Sequence, residues 1–227
     1  MSNRENIFTD LREIEENIIE LENIANKTTI SNNKLANTLE NLRRILEHTA
    51  SDIADKYSYK GNIYFPYGKR LHEYKNHLQK KSGLHKLADD NPAALDLIRE
   101  IQPFNSSTAW LSELFSITNN TKHRSHEKQR HINRSYFNIA DGAFTVGTNA
   151  EGVSIENCAL NGVPLPNMYF NSGKVKLNKS NHFGPNLIIK IEENKVILPE
   201  RKIDVILFLK ECHEQISIFV DKIFNVI

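Results

Sequence analysis

Two cysteines, one tryptophan and no apolar stretch near the roughly 18 residues that a membrane helix needs are what this chain of 227 residues lacks most visibly. Cys158 and Cys212 are far apart and have no CxxC spacing, which excludes a cysteine-based zinc site. A disulfide is not expected between them, and both read as buried small hydrophobes. Net charge is also missing: 29 basic residues stand against 28 acidic ones, so attraction to a polyanion has to come from local clustering. The opening residues MSNRENIF have no apolar core of the signal-peptide kind, and cytoplasm is the expected compartment. Walker loops, the GxGxxG fingerprint, HExxH and GxSxG are all absent. Nucleotide hydrolysis, dinucleotide chemistry, zinc proteolysis and serine hydrolysis therefore lack their usual hardware.

What is present changes character along the chain. Ile7, Leu11, Ile14, Ile18, Leu21 and Ala25 alternate by threes and fours, as do Leu35, Leu39, Leu42, Leu46, Ile53 and Tyr57. Two long helices separated by the polar residues 26–33 are expected to bury these stripes against each other. GNIYFPYG, residues 61–68, reads as a loop. Helical spacing returns over 69–81, over 92–101 behind the cap pair Asn91–Pro92, and over 108–117 around Trp110, Leu111, Leu114 and Phe115. Short Val- and Ile-rich runs at 144–148, 153–157, 174–177, 187–192 and 195–198 predict strands, with tight turns at Glu193–Asn194 and Asn161–Gly162. Pro199 and Glu200 are expected to open a last apolar helix. The resulting expectation is α+β: a mainly helical bundle over 1–135, a small antiparallel β-sheet over 136–199, and a C-terminal helix over 200–227 packing back to complete one composite domain.

One segment stands out chemically. NNTKHRSHEKQRH, residues 119–131, holds three histidines, two arginines and two lysines against one glutamate. If it is helical, Arg124 and His131 lie nearly two turns apart on one face, about 10 Å along the axis. An arginine there would clamp a phosphate and stabilise its added charge, while a histidine would exchange a proton with a ribose hydroxyl or leaving oxygen, with no metal. Lys122, His123, His126, Lys128 and Arg130 are the candidate phosphate or nucleic-acid contacts, with Asn119 and Asn120 in support. No metal and no cofactor are expected.

The Arg124, Ser125 and His131 pattern resembles the Arg-x6-His signature of the HEPN superfamily of helical-bundle proteins, in which many members are RNases of toxin–antitoxin and phage-defence systems. Ser125 stands where members commonly carry Asn, Asp or His. The resemblance implies an RNA substrate, a homodimer that brings two motifs together, and a cognate protein partner. A second Arg-x6-His pair occurs at Arg70 and His77, with Leu71 after the arginine. Separately, FPYG at 65–68, IQPF at 101–104 and WLSEL at 110–114 leading into NNTKHR are similar to a group of uncharacterised bacterial proteins. That similarity implies that Asn119 or Asn120, Lys122, His123 and Arg124 act as one unit, with Thr121 where the group has Asp.

Plainer readings stand beside these. The basic segment also reads as a solvated helix end that complements the dipole. Arg70, His72, Glu73 and His77 read as an exposed amphipathic face, and Trp110 as core. Tyr57, Tyr59, Tyr64, Phe65 and Tyr67, interleaved with Lys56, Lys60 and Lys69, resemble a single-strand-binding surface, but equally the apolar underside of a loop. The expected function is a metal-independent RNase of HEPN type; the alternative is a non-catalytic subunit that binds nucleic acid or protein.

Overall fold

The computed structural model describes residues 3–105, 109–123, 128–139, 143–160, 162–177 and 188–227. The chain falls into two compact units: a helical one, Met1–Arg130 with Val196–Ile227, and a strand-rich one, His131–Lys195. The fold class is α+β. The boundary falls before 136 because strand β1 already begins at Arg130, in a stretch whose exposed Arg130 and Arg134 mask its alternation.

In the helical unit, α1 (Asn3–Ala25) and α2 (Asn32–Lys56) pack their apolar stripes together. Each predicted stripe residue from Ile7 to Ala25 on α1 is buried, as are Leu39, Leu42, Leu46 and Ile53 on α2. Burying one such side chain contributes about 1.5–3 kcal/mol, so two stripes of this length hold the pair together far more firmly than helix propensity does. Next come α3 (Leu71–Lys80), the single-turn α4 (Leu87–Asp90), α5 (Pro92–Glu100) and α6 (Trp110–His123). Asn91 caps α5 by accepting from the Ala94 N–H at 3.0 Å. Helix α7 (Val205–Phe224) packs on α1, α2, α5 and α6, burying Leu209, Cys212, Ile216, Phe219, Val220 and Ile223. It starts five residues after the expected Glu200. Lys202 sits at φ 58°, which no right-handed helix contains, and the Asp204 carboxylate accepts from the Ile206 and Leu207 N–H groups to set the true N-terminus.

The strand unit contains β1 (Arg130–Ile139), paired antiparallel with β2 (Phe144–Gly147), and β8 (Ile188–Leu198) on the other side of β1. A three-stranded sheet, β3 (Val153–Ile155), β6 (Met168–Asn171) and β7 (Lys174–Leu177), runs in the order β3-β6-β7. The short pair β4 (Ala159–Leu160) and β5 (Val163–Pro164) closes a hairpin around Gly162, as expected. The expected turn at Glu193–Asn194 does not form: both residues lie inside continuous β8. β8 is hydrogen-bonded to the ten-residue neighbour β1, and such tertiary pairing overrides the turn propensity of the dipeptide. At its end β8 enters the helical unit and pairs with β9 (Ile203–Asp204). Phe137, Ile139, Val146, Leu165, Met168 and Phe170 form the strand unit's own core. Cys158, just before β4, is only half-buried against that core, contrary to expectation; Cys212 is fully buried, and that burial pushes its thiol well above the ordinary range.

Candidate nucleic-acid interface

The stretches FPYG, IQPF and WLSEL…NN come together in the helical unit. Phe65 is buried, and Tyr67 stacks on Phe115 with ring centroids 4.3 Å apart and planes 10° from parallel. Gly68 approaches α3 so closely that a Cβ there would lie 2.2 Å from the Tyr74 backbone nitrogen. Gln102, wholly buried, organises this loop. Its amide Nε2 donates to the Pro66 and Ile98 carbonyls, and its Oε1 accepts from the Gly68 N–H at 3.2 Å. Phe104 packs beside Tyr74 at 5.6 Å. Burial, then Glu73 and Glu113, push the Tyr67 phenol up to about 12, and burial likewise pushes Tyr74 to about 12.

Arg43 on α2 joins this assembly to the start of the basic segment, and no reading of spacing singles it out. Its guanidinium lies 4.5 Å above the Phe115 ring; Nη1 donates to Thr118 Oγ1 at 3.1 Å and to Asn119 Oδ1 at 2.6 Å, and Nε faces Glu47 Oε1 at 3.8 Å. Glu47 Oε2 in turn accepts from the Phe65 N–H at 2.6 Å. Five contacts therefore commit these two charged groups to structure. The only sequence signal was Arg43 and Glu47 at i, i+4 beside the apolar stripe of α2. Asn119 is thus a structural acceptor, while Asn120 is half-buried on α6.

Helix α6 ends at His123, and Lys122 and His123 occupy its last turn. Arg124, Ser125 and His126 lie outside the described residues, and with them the arginine of the signature. His131 lies on strand β1, half-buried. The helical geometry expected for Arg124 and His131 therefore does not hold: Lys128 and Gln129 are in no regular structure, and the chain has changed to strand by Arg130.

Between α6 and β1 the chain is pinned by one side chain. Gln129 Oε1 accepts from the Ile30 N–H at 3.1 Å, and its Nε2 donates to Asn32 Oδ1 at 2.7 Å, fixing the segment to the turn between α1 and α2. Lys128 and Arg130, on either side of this anchor, are exposed. Among the described residues no carboxylate pairs with either cation. Two exposed cations thus flank a backbone that Gln129 fixes to the helical unit.

The second Arg-x6-His pair is local structure. Arg70 is the N-cap of α3, its N–H donating to Glu73 Oε2 at 3.2 Å, and His77 is half-buried one turn from the helix end. Burial, then Lys81, hold the His77 imidazole below its ordinary value. His213 bonds the Leu11 carbonyl at 3.0 Å. Among the described residues no three His, Cys, Asp or Glu side chains gather as a metal site, and no helix is long and apolar enough to cross a membrane. No protein-family model, curated protein or solved structure matches the chain.

Proposed function

We propose that the protein binds the phosphate backbone of RNA through the basic segment that follows α6. The observation that carries this reading is the Gln129 anchor with exposed Lys128 and Arg130 on either side. His131, on β1, and Arg124 remain the pair to test for cleavage. The setting implied by the HEPN resemblance is a subunit of a toxin–antitoxin or phage-defence system.

The test is fluorescence anisotropy with a labelled single-stranded RNA in EDTA at low salt, followed by electrophoresis of the same RNA. Intact RNA bound with a dissociation constant of about 10 µM or tighter, weakened in the double variant Lys128→Ala/Arg130→Ala, is the expected result. Shortened RNA with cyclic phosphate ends, lost in both Arg124→Ala and His131→Ala, would show that contact leads to cleavage. Absence of binding at low salt would overturn the reading.

A further inference from the structure

A second surface of the helical unit has the chemistry of a nucleotide site and is built from other residues. Asn62, Tyr64, His77, Gln79, Lys80, Lys81, Gly83 and His85 line an open groove of about 620 Å³ with no carboxylate among them. Its floor is fixed by backbone bonds. The Tyr64 N–H donates to the Ser82 carbonyl at 3.0 Å, and the Lys81 and Ser82 N–H groups both donate to the His77 carbonyl at 2.9 Å. Buried Ser82 closes the corner through its hydroxyl, donating to the Leu78 carbonyl and accepting from the Leu84 N–H. Gly83 has φ +74°, and a Cβ there would lie 2.6 Å from Ile63 and 2.8 Å from the Asn62 carbonyl, so the loop 61–68 and the turn after α3 meet with no room to spare.

On this rigid floor one aromatic ring stands out. Phe65 is 1% exposed and Ile63 half-buried, whereas Tyr64 between them is 49% exposed. The loop's aromatics are thus divided: Phe65 and Tyr67 form its underside, and Tyr64 faces solvent. Lys80, Lys81 and His85 around it are exposed. Lysines at the α3 C-terminus also complement the helix dipole, but that accounts for neither the exposed ring nor the absence of acids. Tyr64 also borders a second groove, of about 430 Å³, lined by Glu40, Asn41, Arg43, Arg44 and Glu47, whose two carboxylates leave the first groove as the one suited to a phosphate.

We infer that this groove holds single-stranded nucleic acid, with one base stacked on Tyr64 and the following phosphate held by Lys80, Lys81 and His85. A flat ring accepts any base, and the cations read only backbone, so the site is indifferent to sequence. The inference deepens the RNA-binding reading and rests on it, while using none of its residues.

The experiment is anisotropy with a fluorescein-labelled U12 RNA on the full chain, comparing wild type with Tyr64→Ala, Tyr64→Phe, Lys80→Ala/Lys81→Ala and Lys128→Ala/Arg130→Ala. Loss of one base stack weakens binding roughly tenfold in Tyr64→Ala, while Tyr64→Phe, which keeps the ring, binds within about twofold of wild type. Thermal melts of the variants check that the fold is retained, since the Tyr64 side chain is exposed. Wild-type binding that is unchanged in both Tyr64→Ala and Lys80→Ala/Lys81→Ala overturns this inference and leaves the segment at 128–130 standing. Binding lost in the groove variants alone supports it and removes the basic segment from the interface. No binding by wild type overturns both.

Discussion

Gln102 shows how one side chain sets the shape of a loop. Its amide makes three hydrogen bonds inside the protein, and Gln102→Leu would leave the Gly68 N–H and the Pro66 carbonyl buried without partners. The expected cost is about 2–4 kcal/mol, seen as a lower urea midpoint at unchanged m-value; a loss below about 0.5 kcal/mol would show that the loop holds without it. Titratable side chains give a second test at this scale. Tyr67 and Tyr74 keep their protons up to about pH 12, whereas an unfolded chain releases them near 10. Above pH 10 the unfolded state then binds fewer protons, so stability is full below that value and falls as pH rises toward 12. Absorbance of phenolate should show three of the seven tyrosines, Tyr59, Tyr67 and Tyr74, titrating late, with Tyr67→Phe removing one of them. For His77 the sign is opposite in pH: its lowered value makes stability present above about 6.5 and progressively lost below it, and His77→Gln should flatten the acid side of the stability profile. None of the residues named here was marked by periodicity. Gln102 reaches back 34 and 36 positions, and Arg43 forward 75, so their partners are visible only once the helices have packed.

At the level of elements, the division between what the sequence revealed and what it hid follows from where the stabilising contacts lie. Helices α1, α2 and α5 carry their signals locally, in an apolar stripe or in the Asn91–Pro92 cap, and were read nearly to the residue. β1 was not: Arg130, Asn133 and Arg134 are exposed along it, and only Phe137 and Ile139 are buried near its end. β8 read as two strands because the Glu193–Asn194 turn signal is local, whereas the ladder that overrides it belongs to a distant strand. The hairpin β6–β7 turns on Ser172 and Gly173, both at positive φ, a two-residue turn in which Ser in place of Asn concealed the signal. The start of α7 separates the two kinds of cue. Asp204→Ala should cost about 1 kcal/mol by removing the cap, while Pro199→Ala, at the position where the sequence places the helix start, should leave the melting temperature of the helical unit almost unchanged. Equal effects from both would mean that the helix begins earlier than Val205.

For the molecule as a whole, a balanced net charge means that affinity for a polyanion depends on where cations are left uncompensated. Five described cations of the helical unit are tied to acids: Arg43 to Glu47, Arg201 to Glu113, Lys210 to Glu22, Lys222 to Glu100 and Lys34 to Glu20. Lys128 and Arg130, beside the Gln129 anchor, are the contrast on which the RNA-binding reading turns. The most direct measurement is the dependence of RNA affinity on salt, wild type against Lys128→Ala/Arg130→Ala, plotted as log K against log salt. Each cation that displaces a counterion from a single strand adds about 0.7 to the slope, so the double variant should lose about 1.4. Parallel lines for the two proteins would contradict the account.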